Sequence, residues 1–463
     1  MTINHLLIRL FSLLLLSGIL LGQNKKENKI FQSKISKNLI NPKNGLIRCA
    51  STEYEMFLQS KYTNRDTEQQ FEKWISHKTD KIKKALKSGK YTNDTLIIPV
   101  VVHIIHKDKA IGENENISNE RVFSQITVLN QDYLRIINTP GYNNNPIGAN
   151  VGIEFKLAIV DPKGNPTNGI DRISLKNYIW DTDNVEKILK PKTQWDPNKY
   201  FNIWVCEFDD SGDLKNTLGY AQFPSGSKLD GLENLDGIAA TDGVILDWRA
   251  FGSSNNKTDI YYSGYNKGRT LTHEIGHALG LRHIWGDNSL CTVDATDSKN
   301  DYCLDTPAAA APNYSCITIE DSCPNEPGND MTENYMDYCN DTCFNTFTLD
   351  QKARILAVLK NSPRRASLTT SEVWKTPQKV NIAEGIQLYP NPAINELNIK
   401  FSDSNRVATS YKIFNNVGLL IRKDVIDSKT EFQINTSNLI SNTYILEVKT
   451  NKGTAKFKFI VRR

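Results

Sequence analysis

Thr272–His283 reads THEIGHALGLRH, and this stretch organises the chain. His273 and His277 are four residues apart, one helical turn, so their imidazoles leave the helix on one face. Two imidazoles so placed can share one divalent cation, and Glu274 beside them can reach a water on it. Gly280 follows where a left-handed or otherwise tight backbone can end the helix. The chain then turns and brings in His283 as a third nitrogen ligand. Three neutral imidazoles leave a fourth position open on zinc, which marks a catalytic site rather than a structural one. The short HExxH pattern occurs in many ordinary helices, whereas the longer HExxHxxGxxH form is far more restrictive.

The chain has 463 residues, enough for several domains and an ample core. Charged residues make up 23% and the net charge is only +4, a balance that does not point to nucleic acid as a partner. One segment is apolar enough to meet a membrane: Leu10–Leu21, LFSLLLLSGILL, preceded by Arg9. It is too short for a stable span and fits a secretory signal peptide over residues 1–22. In an exported chain eight cysteines call for a disulfide reading. Cys291, Cys303, Cys316, Cys323, Cys339 and Cys343 cluster after the histidine motif, without the paired spacing of a zinc ribbon. Cys49 and Cys206 stand apart.

Residues 23–91 read as a pro-segment. It is polar at first, then carries Arg48-Cys49-Ala50 and a helical pattern from Glu53 to about Leu86. Six lysines between Lys78 and Lys90 form a run that a trypsin-like or self-cleaving protease could nick. The β-branched run TLIIPVVVHII, Thr95–Ile105, reads as a buried strand and opens a domain expected to span 92–365. Ser118–Ile137 reads as a helix capped by Ser118. Val151–Val160, Asn202–Phe208 and Gly243–Asp247 read as strands, with Leu218–Phe223 as an exposed edge strand. Leu349–Leu359 closes the domain as a helix. The fold class is α+β: a mixed twisted sheet with helices and a disulfide-stapled lower region. Residues 366–385 read as a linker. Short alternating runs across 386–463 then predict a small all-β sandwich.

Downstream of the histidines lies Asn334-Tyr335-Met336-Asp337-Tyr338. Together GRTLTHEIGHALGLRHIWGD, DTPA at Asp305–Ala308, NYMDY and Cys343 resemble the pappalysin family of metzincin zinc metalloproteases, in its ulilysin-like branch. Astacins would need glutamate where this chain has Ile284. The resemblance implies zinc on His273, His277 and His283, with Glu274 as general base. It implies that Met336 packs a turn beneath the zinc without ligating it. Tyr338 matches the mobile tyrosine that steadies the oxyanion of the tetrahedral intermediate. Disulfides Cys291–Cys323 and Cys316–Cys343 follow from the same resemblance. A third bridge, Cys303–Cys339, is inferred from the two cysteines left over. Relatives bind calcium in this loop, and Asp301, Asp305 and Thr306 are the candidate contributors here.

An Arg-Cys-Gly-like segment silences family members by placing a thiolate on zinc, so Cys49 is the expected switch, although Ala50 replaces the usual glycine. A Cys49–Cys206 disulfide is the rival, and Cys206 otherwise reads as a buried small hydrophobe. The C-terminal domain resembles a type IX secretion sorting domain through LYPNP at Leu388–Pro392, NVGLL and the terminal KFKFIVRR. The expectation is a secreted zinc endopeptidase, made latent, acting on proteins and peptides and engaging secretion machinery, with possible surface attachment. The alternatives are a surface-displayed binding protein with a structural zinc and a zinc amidase acting on small or cell-wall substrates.

Overall fold

The helical pattern expected from Glu53 to Leu86 is two helices, α1 (Ser51–Lys61) and α2 (Glu68–Lys87), in this computed structural model. It describes residues 28–91, 94–226, 238–253, 260–292, 301–316, 320–376 and 383–463, so the signal peptide expected over 1–22 lies outside the described residues. The helices part at Thr67, whose side chain accepts from Gln70 N while the Gln70 side chain accepts from Thr67 N. This reciprocal pair satisfies two otherwise orphaned donors and fixes a new helix start.

A six-stranded sheet follows, built from β1 (Leu96–His106), β2 (Ile153–Leu157), β3 (Ile170–Ser174), β4 (Phe201–Cys206), β5 (Gly219–Ala221) and β6 (Val244–Asp247). Between β1 and β2 the chain forms α3 (Asn119–Tyr133), with Ser118 accepting from Arg121 N at its start. The strand order is β2–β1–β4–β6–β5, and β3 pairs farther along β1. All pairings are parallel except that of β5 with β6, so the short antiparallel strand lies at an edge. β1 is an almost unbroken apolar run because both faces of the sheet are covered. Val100, Val102 and Ile104 join the main core with α3, while Ile105, Trp204, Cys206 and Tyr220 join a second core on the other face. The N-terminal segment supplies much of that second core through Ile30, Phe31, Ile35, Ile47, Tyr54 and Leu58. Its polar composition hides these scattered apolar anchors.

α4 (Arg269–Ala278) carries the HEIGH sequence and is buried along its whole length. Arg269 pairs with Asp132 at 3.1 Å, Thr272 donates to the same carboxylate at 2.8 Å, and Tyr133 donates to the Thr272 carbonyl at 3.0 Å. These contacts lock the helix to α3. α5 (Leu349–Asn361) and α6 (Pro363–Leu368) complete this part of the fold. Disulfides Cys291–Cys323 and Cys316–Cys343 staple the irregular region between α4 and α5. The third bridge expected between Cys303 and Cys339 does not form, and both residues are buried free thiols. Each occupies its own polar setting: Cys339 Sγ lies 3.1 Å from the Ser315 carbonyl, whereas Cys303 sits in the Asp301–Thr306 turn. Cys49 and Cys206 are also free, so the rival bridge between them is absent.

The described chain divides into two compact units, the first ending at Thr376. The expected linker therefore starts too early at 366. Ile159 N and Val160 N both donate to the Val373 carbonyl, and Lys156 sits 4.5 Å from the Trp374 ring, which holds 366–376 to the first unit. Residues 377–382 lie outside the described residues. The second unit is all-β: β7 (Ile386–Tyr389), β8 (Glu396–Phe401), β9 (Ala408–Asn415), β10 (Leu420–Lys429), β11 (Glu431–Asn435), β12 (Asn442–Thr450) and β13 (Gly453–Val461). They form two antiparallel sheets, β11–β8–β7 and β10–β9–β12–β13, around one apolar core. β10 has no alternating pattern because it is exposed nearly throughout.

Gly280 ends the turn after α4 at φ +91°, and a Cβ there would lie 2.8 Å from Val358 Cγ2 on α5. Gly280→Ala is expected to destabilise the first unit by about 1–3 kcal/mol through backbone strain and overpacking. Its chemical denaturation midpoint relative to wild type checks this, and an unchanged midpoint would refute it.

Candidate active site

His273, His277 and His283 bring their Nε2 atoms together: His277 Nε2 lies 3.1 Å from His273 Nε2 and 3.0 Å from His283 Nε2. The Nδ1 partners explain why. His273 Nδ1 donates to the Tyr335 carbonyl at 2.7 Å and His277 Nδ1 to the Leu281 carbonyl at 2.9 Å. His283 Nδ1 faces Asp287 Oδ1 at 2.5 Å. Carbonyl and carboxylate oxygens only accept, so the ring protons stay on Nδ1 and the Nε2 lone pairs face one another. Burial and the neighbouring imidazoles hold the His273 and His277 pKa values well below the usual histidine range, keeping the rings neutral. Three converging lone pairs without a proton between them are the donor set of a divalent cation, and the residues fit zinc.

Cys49 completes the cluster. Its Sγ and the three ring nitrogens all lie within 4.8 Å of one another, the one such group among the described residues. Burial first, and the Glu274 carboxylate second, push the Cys49 thiol pKa well up. A divalent cation reverses that preference because it favours the thiolate. Glu274 is fully buried, and burial raises its carboxyl to about 8 despite two incoming hydrogen bonds. Those bonds come from Ser51 Oγ at 2.7 Å and Cys49 Sγ at 3.3 Å, both to Oε2.

The segment around Cys49 also lies along the edge strand. Ala50 N donates to the Gly219 carbonyl at 3.1 Å, Ile47 N to the Asn216 carbonyl at 2.8 Å, and Leu218 N to the Ile47 carbonyl at 2.9 Å. Arg48 is buried and anchors the segment from the side. It donates to the Cys339 carbonyl at 2.9 Å, pairs with Asp341 at 3.3 Å and lies over the Phe344 ring at 4.6 Å.

Met336 packs beneath the histidines against Gly276 of α4, where a Cβ would come within 2.5 Å of its Sδ. Asn334 shapes that turn by accepting from Met336 N and donating to Gln351. Tyr338 is buried, with its ring edge-on to His283 at 4.9 Å, and its hydroxyl donates to the Cys49 carbonyl at 3.3 Å. In this chain it is therefore engaged by the segment around Cys49. Asp301, Asp305 and Thr306 lie apart from the histidines. Thr306 Oγ1 donates to Asp301, whose carboxyl burial raises to about 8, and Asp305 Oδ1 is buried with no hydrogen-bond partner.

Two residues of the site escape the sequence reading. Asp287 sits one helical turn's count beyond His283 but on irregular chain, where that spacing carries no expectation. Ser51 lies two residues after Cys49, and only the packing of α1 on β5 aims its hydroxyl at Glu274.

The fold and donor set together describe a metallopeptidase centre. Residues 183–360 match the family model described as pregnancy-associated plasma protein-A, and residues 387–462 match that of the secretion system C-terminal sorting domain. An extracellular metalloprotease of Arthroderma benhamiae is 30% identical over 244 residues, covering 53% of this chain and 72% of the relative. One from Colletotrichum graminicola is 28% identical over 262 residues, covering 56% and 75%. Among solved structures, mature mirolysin of Tannerella forsythia with a cleaved peptide is 36% identical, covering 60% of this chain and 96% of that one, with a TM-score of 0.49. The chain belongs to the pappalysin family of metallopeptidases and carries a type IX sorting tail. It is a secreted zinc metalloendopeptidase, and neither the binding-protein nor the amidase alternative is favoured. Among the described residues no helix is long and apolar enough to cross a membrane.

The Met336 floor depends on the missing side chain at Gly276. Gly276→Ala is expected to lower stability by about 1–2 kcal/mol by displacing the buried thioether. A thermal melt of the metal-free chain checks this, and an unshifted transition would show that the floor tolerates the methyl group.

Proposed function

We propose that this chain is the latent form of the peptidase, with its cutting centre at His273, His277, His283 and Glu274. The observation that carries the proposal is the convergence of three Nε2 lone pairs beside a buried carboxylate. Zinc bound there supplies Lewis acidity to a water molecule and to the scissile carbonyl. Glu274 takes a proton from the attacking water at Oε2 and delivers it to the leaving amine. Asp287 and the Tyr335 and Leu281 carbonyls hold the three rings in the tautomer that faces the metal. Tyr338, once parted from the Cys49 carbonyl, is close enough to the histidines to donate its hydroxyl to the oxyanion.

Latency rests on the pro-segment meeting every working part at once. With zinc bound, the Cys49 sulfur would serve as a ligand beside the three histidines, while Ser51 occupies Glu274 and residues 47–50 cover the edge strand that an extended substrate would pair with. Cleavage within about residues 80–95, followed by departure of the segment, activates the enzyme. We assign residues 23–91 to the pro-segment, and the catalytic domain begins near 92. The sorting domain directs passage across the outer membrane and is then removed, with attachment to surface lipopolysaccharide as one fate. A structural calcium ion at Asp301, Asp305 and Thr306 would compensate the buried Asp301 and half-buried Asp305 carboxylates.

Three outcomes test these assignments. Glu274→Gln should retain zinc by elemental analysis yet lose about 10²–10⁴-fold in casein hydrolysis, and surviving turnover would reject the base. Cys49→Ala should raise the activity of the unprocessed chain by about tenfold, equivalent to ~1.4 kcal/mol of lost docking. Unchanged latency would reject the switch. Calcium should raise the melting temperature of wild type but not of Asp301→Asn, and equal responses would reject the calcium site.

A further inference from the structure

We infer that Arg282 and Arg354 form a carboxylate-binding subsite of the mature peptidase, held shut in this chain by Glu72 of the pro-segment. The inference rests on the peptidase reading above. Glu72 lies on α2, and Arg354 grips both of its oxygens, Nη1 to Oε2 at 2.7 Å and Nη2 to Oε1 at 2.5 Å. Arg282 Nη2 lies 3.4 Å from Oε1 of the same carboxylate. This two-pronged geometry is the one a planar guanidinium offers to carboxylates in general, and it carries no requirement for a helix as the donor.

The arginines are set by the catalytic part of the chain. Arg354 Nε donates to the Gly280 carbonyl at 2.6 Å, and its guanidinium lies 5.2 Å from the Tyr302 ring. Arg282 precedes the ligand His283 and stacks on the Phe223 ring at 4.5 Å. The same ring lies 5.1 Å from the His277 imidazole. Arg282 is thus one aromatic ring away from His277, just past the end of β5, and Arg354 meets it at the shared Glu72 carboxylate.

The counter-charges come from elsewhere. Among the described residues, every carboxylate within 4.0 Å of either guanidinium belongs to the pro-segment, namely Glu72 and Glu68. Both arginines are nearly inaccessible, and a buried guanidinium without an anion is strongly unfavourable. Departure of α2 removes the two carboxylates nearest this pair, leaving Arg282 without its ion-pair partners and Arg354 facing only the electrostatic field of buried Asp301 beside the substrate path. A peptide extended along β5 beyond Phe223 can restore the lost partner with an aspartate or glutamate side chain. Glutamine has the same shape without the charge, so it separates ion pairing from simple fit.

The test uses the zinc-loaded enzyme after proteolytic removal of the pro-segment from the full chain. Matched peptides carry a single Glu or Gln at each of the four positions on either side of the scissile bond. At one position Glu should raise kcat/KM about tenfold over Gln, chiefly through KM, and Arg282→Gln should bring that ratio near one. Arg354 is left intact because its bond to Gly280 supports the turn. Equal rates for Glu and Gln at every position would overturn the subsite and leave Glu72 as a latch alone. A preference that survives Arg282→Gln would overturn it too. Failure to cut any peptide would instead sink the peptidase reading on which it stands.

Discussion

Everything in the first unit turns on where three protons sit. With each Nδ1 committed to an oxygen that can only accept, the opposite ring nitrogens of His273, His277 and His283 present lone pairs to a common point. Such a cluster is unfavourable by itself and favourable around a cation, so the fold is built to hold a divalent charge. The three accepting oxygens come from separate places: the methionine turn, the end of α4 and the chain after His283. Each must be held in register for the rings to converge. Gly276 lets the turn approach, Gly280 lets the chain reverse, and the two disulfides tie down the irregular segment between α4 and α5.

The segment proposed to keep the enzyme latent is a structural element in its own right. It crosses the edge strand, contributing Cys49 and Ser51 on the catalytic side and Tyr54 on the other. There Tyr54 bonds Glu186, which also accepts from Tyr220 at 2.7 Å and Lys190 at 2.5 Å. Lys190 is fully buried, and burial lowers its pKa although Glu186 opposes that shift. A buried network of this kind is stable only while each member has its partners. Burial of Ile30, Phe31, Ile47 and Leu58 adds apolar contact on the same face. The segment is therefore held over a wide surface, from the Cys49 thiol beside the histidines to the Glu72 ion pair.

Local chemistry made some of this legible from the chain alone. The i, i+4 histidines, the glycine before the turn and the third histidine needed only helical geometry to be understood together. β1 declared itself by an apolar run that only a doubly covered strand tolerates. Elements without a buried face left no such trace: β10 is exposed nearly throughout, and β3 is short and mostly half-buried. The break between α1 and α2 hung on a side-chain cap inside one continuous helical pattern.

Sequence by itself determined the metallopeptidase family and the secretion sorting tail, because their motifs are written in neighbouring residues or in composition. Tertiary structure decided which oxygens orient the rings, that Ser51 meets Glu274, that Cys303 and Cys339 stay apart, and that residues 366–376 belong to the first unit. Those outcomes depend on distances between segments remote in the chain. Hydrogen bonds and disulfides form only where folding brings their partners within a few ångströms, and no local pattern encodes that proximity.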